Sequence, residues 1–233
     1  MRSAMVRLDT FLVAQGFIPT RSRAKRAILY GLVRVNGTII QKPAYAVKKS
    51  DTISILDEAT KPVGYWKLQA IHTLTNSEIL TSSKVCLDLG SSAGGFLEFA
   101  AENCKMVYGI EVSDEFAPKL YQLKQIYPNV SVLIADAFLL DPLHHPELHQ
   151  IDVLLNDLTL DPVDSVQVLR KFLPFLKEHG YLIMAIKQGR YPLQKCKNYI
   201  KSVFLTLHLH ILQMLTLDPD KQEVHVVAHK RAL

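Results

Sequence analysis

The stretch Lys84–Phe96 reads K-V-C-L-D-L-G-S-S-A-G-G-F and decides the fold. Lys84–Leu89 is an apolar run with Asp88 near its end, and a glycine-rich turn follows. Glycine lets the backbone turn sharply and approach a ligand closely. Gly94–Ala101 continues as a helix, whose first amides lack intrahelical partners. The same alternation extends outward. Met106–Ile110 predicts a strand ending at Glu111, Asp114–Ile126 a helix, and Val130–Ala135 a strand ending at Asp136. Ile151–Leu155 predicts a strand ending at Asp157, and Pro162–Lys177 a helix with Val163, Val166, Leu169, Leu173 and Leu176 at helical spacing. Tyr181–Ile186 ends at Lys187, Leu193–Val203 is helical, and Phe204–Leu212 and Glu223–Ala228 complete the strands. This alternation implies an α/β domain with a parallel sheet wound on both faces. Ligands of such sheets collect at the carboxyl ends of the strands. Asp88, Glu111, Asp136, Asp157 and Lys187 all fall there.

The loop is not a dinucleotide fingerprint. That motif needs G-x-G-x-x-G, and this chain has G-S-S-A-G-G. Asp88 would also repel a pyrophosphate. It suits a cation, such as the sulfonium and ammonium of S-adenosylmethionine. Glu111, some twenty residues on, suits ribose hydroxyls, and Asp136 suits an adenine amino group. The expected cofactor residues are Asp88, Gly90, Ser91, Ser92, Ala93, Gly94, Gly95, Phe96, Glu111, Asp136 and Asp157.

The N-terminal part differs in charge. The chain has 233 residues and a formal net charge of +5. Residues 1–56 hold ten Lys and Arg against only Asp9 and Asp51, so the remainder is slightly acidic. A basic head on such a body points to a polyanionic partner. Val6–Ala14 predicts a short helix, and Thr20 N-caps a second from Arg21 to Tyr30, ended by Gly31. Ala24, Ala27 and Ile28 supply its buried stripe, so Arg21, Arg23, Lys25 and Arg26 are expected to project outward. Leu32–Val35, Asn36-Gly37 and Thr38–Ile40 form a hairpin signal, and Asp51–Leu56 a closing strand. Residues 57–62, polar and ending in proline, are the expected linker between domains 1–56 and 63–233.

Two resemblances follow from these residues. RLDTFLVAQGFIPTRSRAKRAILYGLVRVNG, with the later KP and DTISIL, resembles the RNA-binding domain named after the fourth small-subunit ribosomal protein (the S-four domain). It implies a small α+β module whose second helix and following loop lie on structured RNA. Arg7, Arg21, Ser22, Arg23, Lys25, Arg26, Arg34 and Lys42 are the implied contacts. DLGSSAGGF resembles the cofactor loop of the FtsJ-type RNA ribose methyltransferases and the hemolysin-A-like proteins. This implies a Rossmann-like methyltransferase sheet, S-adenosylmethionine as cofactor, and a Lys-Asp-Lys-Glu tetrad. Lys67 in GYWKLQAI, Asp157 in DVLLNDL, Lys187 in LIMAIKQG and Glu223 in EVHVVA match the tetrad. Two departures stand out. Aligned on Gln188-Gly189, the strict FtsJ-type lysine falls on Ala185, whereas the hemolysin-A-like pattern places it at Lys187. Asp157 also lacks the following proline of the FtsJ-type motif.

The implied reaction is ribose 2′-O-methylation of structured RNA, ribosomal RNA foremost. The attacking hydroxyl must lose its proton, and a lysine with a lowered pKa can take it. Lys187 is the expected base. Lys67 positions the hydroxyl and tunes that base, Asp157 orients the amine and the hydroxyl, and Glu223 holds Lys67. The competing reading is an RNA- or ribosome-binding protein whose methyltransferase fold is inactive. Three cysteines without a spaced framework fit reduced thiols in the cytosol, with Cys86 in the core. No apolar run approaches the ~20 residues that span a bilayer, and no signal peptide or membrane partner is expected. His144, His145 and His149 are read as a surface cluster rather than a metal site. His208 and His210 are placed on the polar face of a strand.

Overall fold

The computed structural model describes residues 5–56, 61–76, 78–218 and 221–232. The chain divides into two compact units, 1–66 and 67–233. Residues 57–60 of the expected linker lie outside the described residues.

In the first unit, β1 (Val6–Arg7) pairs antiparallel with β4 (Ala46–Val47). Residues 6 and 7, expected as the start of a helix, are therefore strand. The helix α1 (Leu8–Ala14) begins only at Leu8, and it packs on α2 (Arg21–Leu29) through Leu8, Leu12, Ala24, Ala27 and Ile28. Thr20 caps α2 as expected: its Oγ1 accepts a hydrogen bond from Arg23 N at 3.3 Å. The hairpin β2 (Val33–Val35) and β3 (Thr38–Ile39) turns at Asn36 and Gly37, with φ of +51° and +82°. These paired left-handed residues match the right-handed twist of the strands. β5 (Ile53–Ile55) joins the other edge of β2.

The second unit is a seven-stranded sheet. Its strands are β6 (Val85–Leu89), β7 (Met106–Glu111), β8 (Val130–Ile134), β9 (Ile151–Asn156), β10 (Leu176–Lys187), β11 (Leu209–Leu215) and β12 (Glu223–Lys230). Their order is β11-β12-β10-β9-β6-β7-β8. All run parallel except β12, which is antiparallel to both of its neighbours, β10 and β11. The sheet is therefore mixed rather than wholly parallel. β12 arrives from β11 through a connection too short for a parallel crossover.

The crossovers are α4 (Gly95–Asn103), α5 (Ala117–Ile126), α6 (Pro162–Phe172) and α7 (Leu193–Thr206), with α3 (Val63–Leu74) ahead of β6. α5 begins at Ala117 rather than Asp114, and two boundaries shift further from those expected. The helix begun at Pro162 ends at Phe172 because Pro174 lacks an N–H and clashes with a preceding carbonyl. Leu176 then opens β10. The segment expected as strand from Phe204 belongs first to α7, since Val203 and Phe204 complete the buried stripe begun by Cys196 and Ile200. His208, with φ of +54°, turns the chain into β11 and is not on the strand.

Leu87, Leu89, Leu154, Leu182, Met184, Ile186, Val226 and Ala228 pack against Val166, Leu169, Phe172, Ile200 and Phe204 of α6 and α7. Side chains alternate across a strand. Asp88, Asp157, Ala185, Lys187, Glu223 and His225 therefore face the other side of the sheet. The strand order reverses between β6 and β9, which opens a crevice at their carboxyl ends.

Candidate active site

The glycine loop is held by its own backbone. Gly90 N and Ser91 N both donate to Ile110 O, at 2.9 and 3.2 Å. Gly94, the N-cap of α4, has φ of +80°, and a Cβ there would stand 2.2 Å from Leu123 Cδ1. Only glycine fits both conditions. Glu111 closes β7, and its two carboxylate oxygens accept from Ser92 N at 2.7 Å and Ser113 N at 2.8 Å. One acid thus ties the loop of β6 to the end of β7. Asp136 Oδ1 accepts from Phe138 N at 2.8 Å, which shapes the turn after β8.

A cavity of about 510 Å³ opens at this rim. Of the expected cofactor residues, Gly90, Ser92, Glu111, Asp136 and Asp157 line it, as does Lys187. Asp88, Ser91, Ala93, Gly94, Gly95 and Phe96 do not. Gly94, Gly95 and Phe96 are buried in the base of α4, and Ser91 Oγ donates to Asp88 O at 3.3 Å. These residues shape the loop from behind. Sequence reading missed the apolar lining: Val112, Phe116, Phe138, Leu158 and Leu160. Val112 and Phe138 each lie one or two residues beyond a rim acid, which is the signal that could have found them.

Asp88 is almost wholly buried, and neither carboxylate oxygen has a hydrogen-bond partner among the described residues. Burial pushes its pKa up to about 8, helped by the negative charges of Asp157 and Glu111. An orphaned acid behind a cavity whose rim carries Glu111, Asp136 and Asp157 fits a ligand bearing positive charge.

The four tetrad positions meet. Lys67, on α3, is 5% exposed; its Nζ lies 2.9 Å from Glu223 Oε1 and 3.5 Å from Asp157 Oδ2. Lys187 Nζ lies 3.0 Å from Asp157 Oδ1 and donates to Asp157 O at 2.7 Å and Thr159 Oγ1 at 3.3 Å. Lys187 and Glu223 are ladder partners across β10 and β12. Asp157 thus stands between two ammonium groups. They hold it below the usual carboxylate range against the opposing effect of burial. Lys67 does the same for Glu223.

Two further residues belong here. Asn156 is buried; its Oδ1 accepts from Ser165 Oγ and Leu158 N, which fixes the turn that presents Asp157. His225 is fully buried, pairs with Ala185 in the ladder, and has both ring nitrogens without partners among the described residues. Burial and then Lys67 hold its pKa down at about 4, so the ring is neutral near pH 7. Asp157, Glu223 and His225 offer ligand atoms within 4.8 Å of one another, but the Lys67 ammonium already bonds both carboxylates. Among the described residues, no helix is long and apolar enough to cross a membrane.

In the first unit, the expected RNA contacts divide. Asp9, buried in the first turn of α1, accepts from Arg7 Nε at 3.0 Å and Arg21 Nε at 3.1 Å. Burial opposes its ionisation, but the two guanidinium groups prevail and its pKa falls to about 2. Arg26 donates to Ser22 Oγ at 2.9 Å. Arg34 and Lys42 are exposed, and Lys25 is half-buried. Arg23 departs from its expected outward course. Its guanidinium lies 5.5 Å from the centre of the Trp66 ring and donates to Lys61 O, because the indole face offers it a cation–π partner.

Comparison with known proteins follows these divisions. An S4 domain model matches residues 6–53, and an FtsJ-like methyltransferase model matches residues 63–211. The "Putative rRNA methyltransferase YqxC" of Bacillus subtilis is 31% identical over 128 residues, 54% of this chain and 46% of that protein. The "16S/23S rRNA (cytidine-2'-O)-methyltransferase TlyA" of Mycobacterium tuberculosis is 31% identical over 96 residues, 40% of this chain and 35% of that protein. The matched stretches thus span less than half the length of these curated relatives. A solved structure described as "Putative hemolysin from Streptococcus thermophilus" superimposes with a TM-score of 0.63 at 19% identity, over 97% of this chain and 89% of that one. The FtsJ-like model covers well over half of the chain, and with the sheet order and the rim geometry it places the chain in the FtsJ-like methyltransferase family.

Proposed function

We propose that this protein is an S-adenosylmethionine-dependent RNA methyltransferase that modifies a ribose 2′-hydroxyl of ribosomal RNA. The observation that carries the reading is the position of Lys187. Of the two lysines of the tetrad, it is the one that lines the cavity, where Asp157 holds its ammonium at 3.0 Å. Lys67 stands behind, tied to Glu223.

The cofactor, when bound, supplies a methyl group already activated by its sulfonium. Glu111 and Asp136 would hold its hydroxyl and amino groups, Val112 and Phe138 would offer it apolar surface, and the buried Asp88 would favour its positive charge from beneath the loop. Lys187, in its neutral amine form, would accept the proton of the attacking hydroxyl as the oxygen–carbon bond forms and the methyl carbon–sulfur bond breaks, leaving a neutral thioether, and would later release that proton to water. Asp157 keeps that amine aimed at the cavity, and Lys67 with Glu223 keeps Asp157 in place. Proximity and alignment supply much of the remaining rate. The domains proposed are an RNA-binding head over 1–56, a linker over 57–62 and a methyltransferase over 63–233. The head resembles a ribosomal RNA-binding module, and the printed names of two relatives, YqxC and TlyA, specify ribosomal RNA, which favours that substrate.

The test supplies ribosomal subunits and labelled S-adenosylmethionine to the purified chain, then maps the label by resistance of the adjacent phosphodiester to alkali. Alkali resistance at a discrete site is expected. Label on a base would overturn the ribose reading, and no transfer together with no cofactor binding would overturn the enzyme reading.

A further inference from the structure

The charge of the second unit is unevenly placed. Residues 67–233 carry 16 basic and 18 acidic side chains. Between Glu178 and Asp218 there is no acid at all, yet Lys187, Arg190, Lys195, Lys197 and Lys201 fall in that interval. The first cation of the interval, Lys187, lines the cavity. After Lys187 the chain is pinned twice. Gln188 N donates to Gln222 O at 2.8 Å, and Gly189 lies so close to Asp161 that a Cβ would stand 3.0 Å from its Cβ. The chain then rises into solvent. Arg190, Lys195 and Lys201 are exposed, and the Tyr191 side chain is 57% exposed. The Tyr191 carbonyl accepts from Cys196 Sγ at 3.5 Å, which fastens the loop to α7. Among the described residues, the side chains of Arg190, Lys195, Lys197 and Lys201 have no ion pair or hydrogen bond.

An ordinary solvated helix face mixes both signs, as the rest of this unit does. A single-sign track with an exposed aromatic ring, mounted on a pinned loop, has the composition of a single-strand platform. The cations follow phosphates, and the ring stacks on a base. We propose that Arg190–Lys201 is a second RNA-binding surface, separate from the basic head. It takes the backbone of the strand being methylated through Arg190, Lys195 and Lys197, with Tyr191 stacking on an unpaired base beside the target nucleotide. This inference rests on the RNA-methylating reading above. It also requires that the catalytic unit hold unpaired RNA, rather than leave all affinity to the head.

The test uses the full chain and a labelled single-stranded oligoribonucleotide of about 12 nucleotides, within the usual site size of such platforms. Binding is titrated across a salt series. The combined variant R190Q/K195Q/K197Q keeps the side-chain lengths and removes the charges. Its affinity is expected to fall about tenfold at moderate salt. Its log K against log salt slope should be shallower by about 2, at ~0.7 per single-strand phosphate contact. Y191L is expected to weaken binding with the slope unchanged. S-adenosylmethionine affinity and the melting temperature of both variants should match the parent. Equal affinity and slope in parent and R190Q/K195Q/K197Q would overturn this surface and leave the methyltransferase reading intact. A parent chain that binds no RNA and transfers no methyl group would overturn the reading beneath it.

Discussion

Lys67 Nζ lies 2.9 Å from Glu223 Oε1, with both side chains buried, although one residue comes from a helix before the sheet and the other from its last strand. A buried ion pair of this kind costs desolvation and is expensive to break from one side. Glu223→Gln leaves the ammonium with only the longer contact to Asp157. Chemical denaturation should show a loss of about 3 kcal/mol. The same variant should slow methyl transfer more than it weakens cofactor binding.

Lys187 has the opposite profile. It lines the cavity and its removal leaves the Lys67–Glu223 pair intact. Lys187→Met should reduce single-turnover methylation by about 10²–10⁴-fold, the usual contribution of a general base. RNA and cofactor affinities should stay within about twofold of the parent, a change of well under 1 kcal/mol. Retained activity would shift the base role to Lys67.

Asp88, at about 8, is mostly protonated at pH 7 in the ligand-free protein. A cationic ligand favours its ionised form. S-adenosylmethionine binding at pH 7 should therefore release a large fraction of one proton and strengthen as pH rises toward 8. Calorimetry in two buffers of different ionisation enthalpy reads the proton count directly. Asp88→Asn should abolish the release. A pH-independent affinity in the parent would show that Asp88 does not meet the ligand's charge.

His225 predicts an acid weakness. Its folded pKa of about 4 lies below the unfolded value of 6.5. The unfolded chain therefore binds the proton first, and stability falls as pH drops from 6.5 toward 4. Compared with His225→Phe, the parent should lose about 3 kcal/mol more across that window. Denaturant midpoints at pH 7 and pH 4 for both proteins make the comparison.

Asp9 offers a test in which charge and geometry disagree. By charge alone, Asp9→Asn makes the head more basic and should tighten RNA binding. Because Asp9 holds Arg7 and Arg21 in place, weaker binding by a few-fold is expected instead. The melting temperature is measured alongside to separate this from unfolding.

The sequence by itself determined the features that rest on nearest neighbours along the chain. Asn36-Gly37 forces a hairpin because few other pairs tolerate two left-handed residues. Thr20 caps α2 through an atom three residues away. The strand-to-glycine transition at Leu89-Gly90 and the acids ending β7 and β8 follow from local pattern, so the sheet and its rim were legible. The tetrad was legible through resemblance, since Lys67 carries no local signal of its own.

Only the tertiary structure decided what depends on contact between distant segments. It showed that Lys187 lines the cavity, whereas Ala185, two residues earlier on the same face of β10, is buried. The ladder sets Lys187 against Glu223 and, two rows earlier on the same face, the small Ala185 opposite the large ring of His225. Periodicity cannot pair two strands or state which row meets the rim. It also cannot show that Arg23 turns to Trp66, or that Phe96 packs inward while Phe138 lines the cavity. Those outcomes are set by which surfaces come together, and backbone pairing and side-chain packing fix them only once the chain has folded.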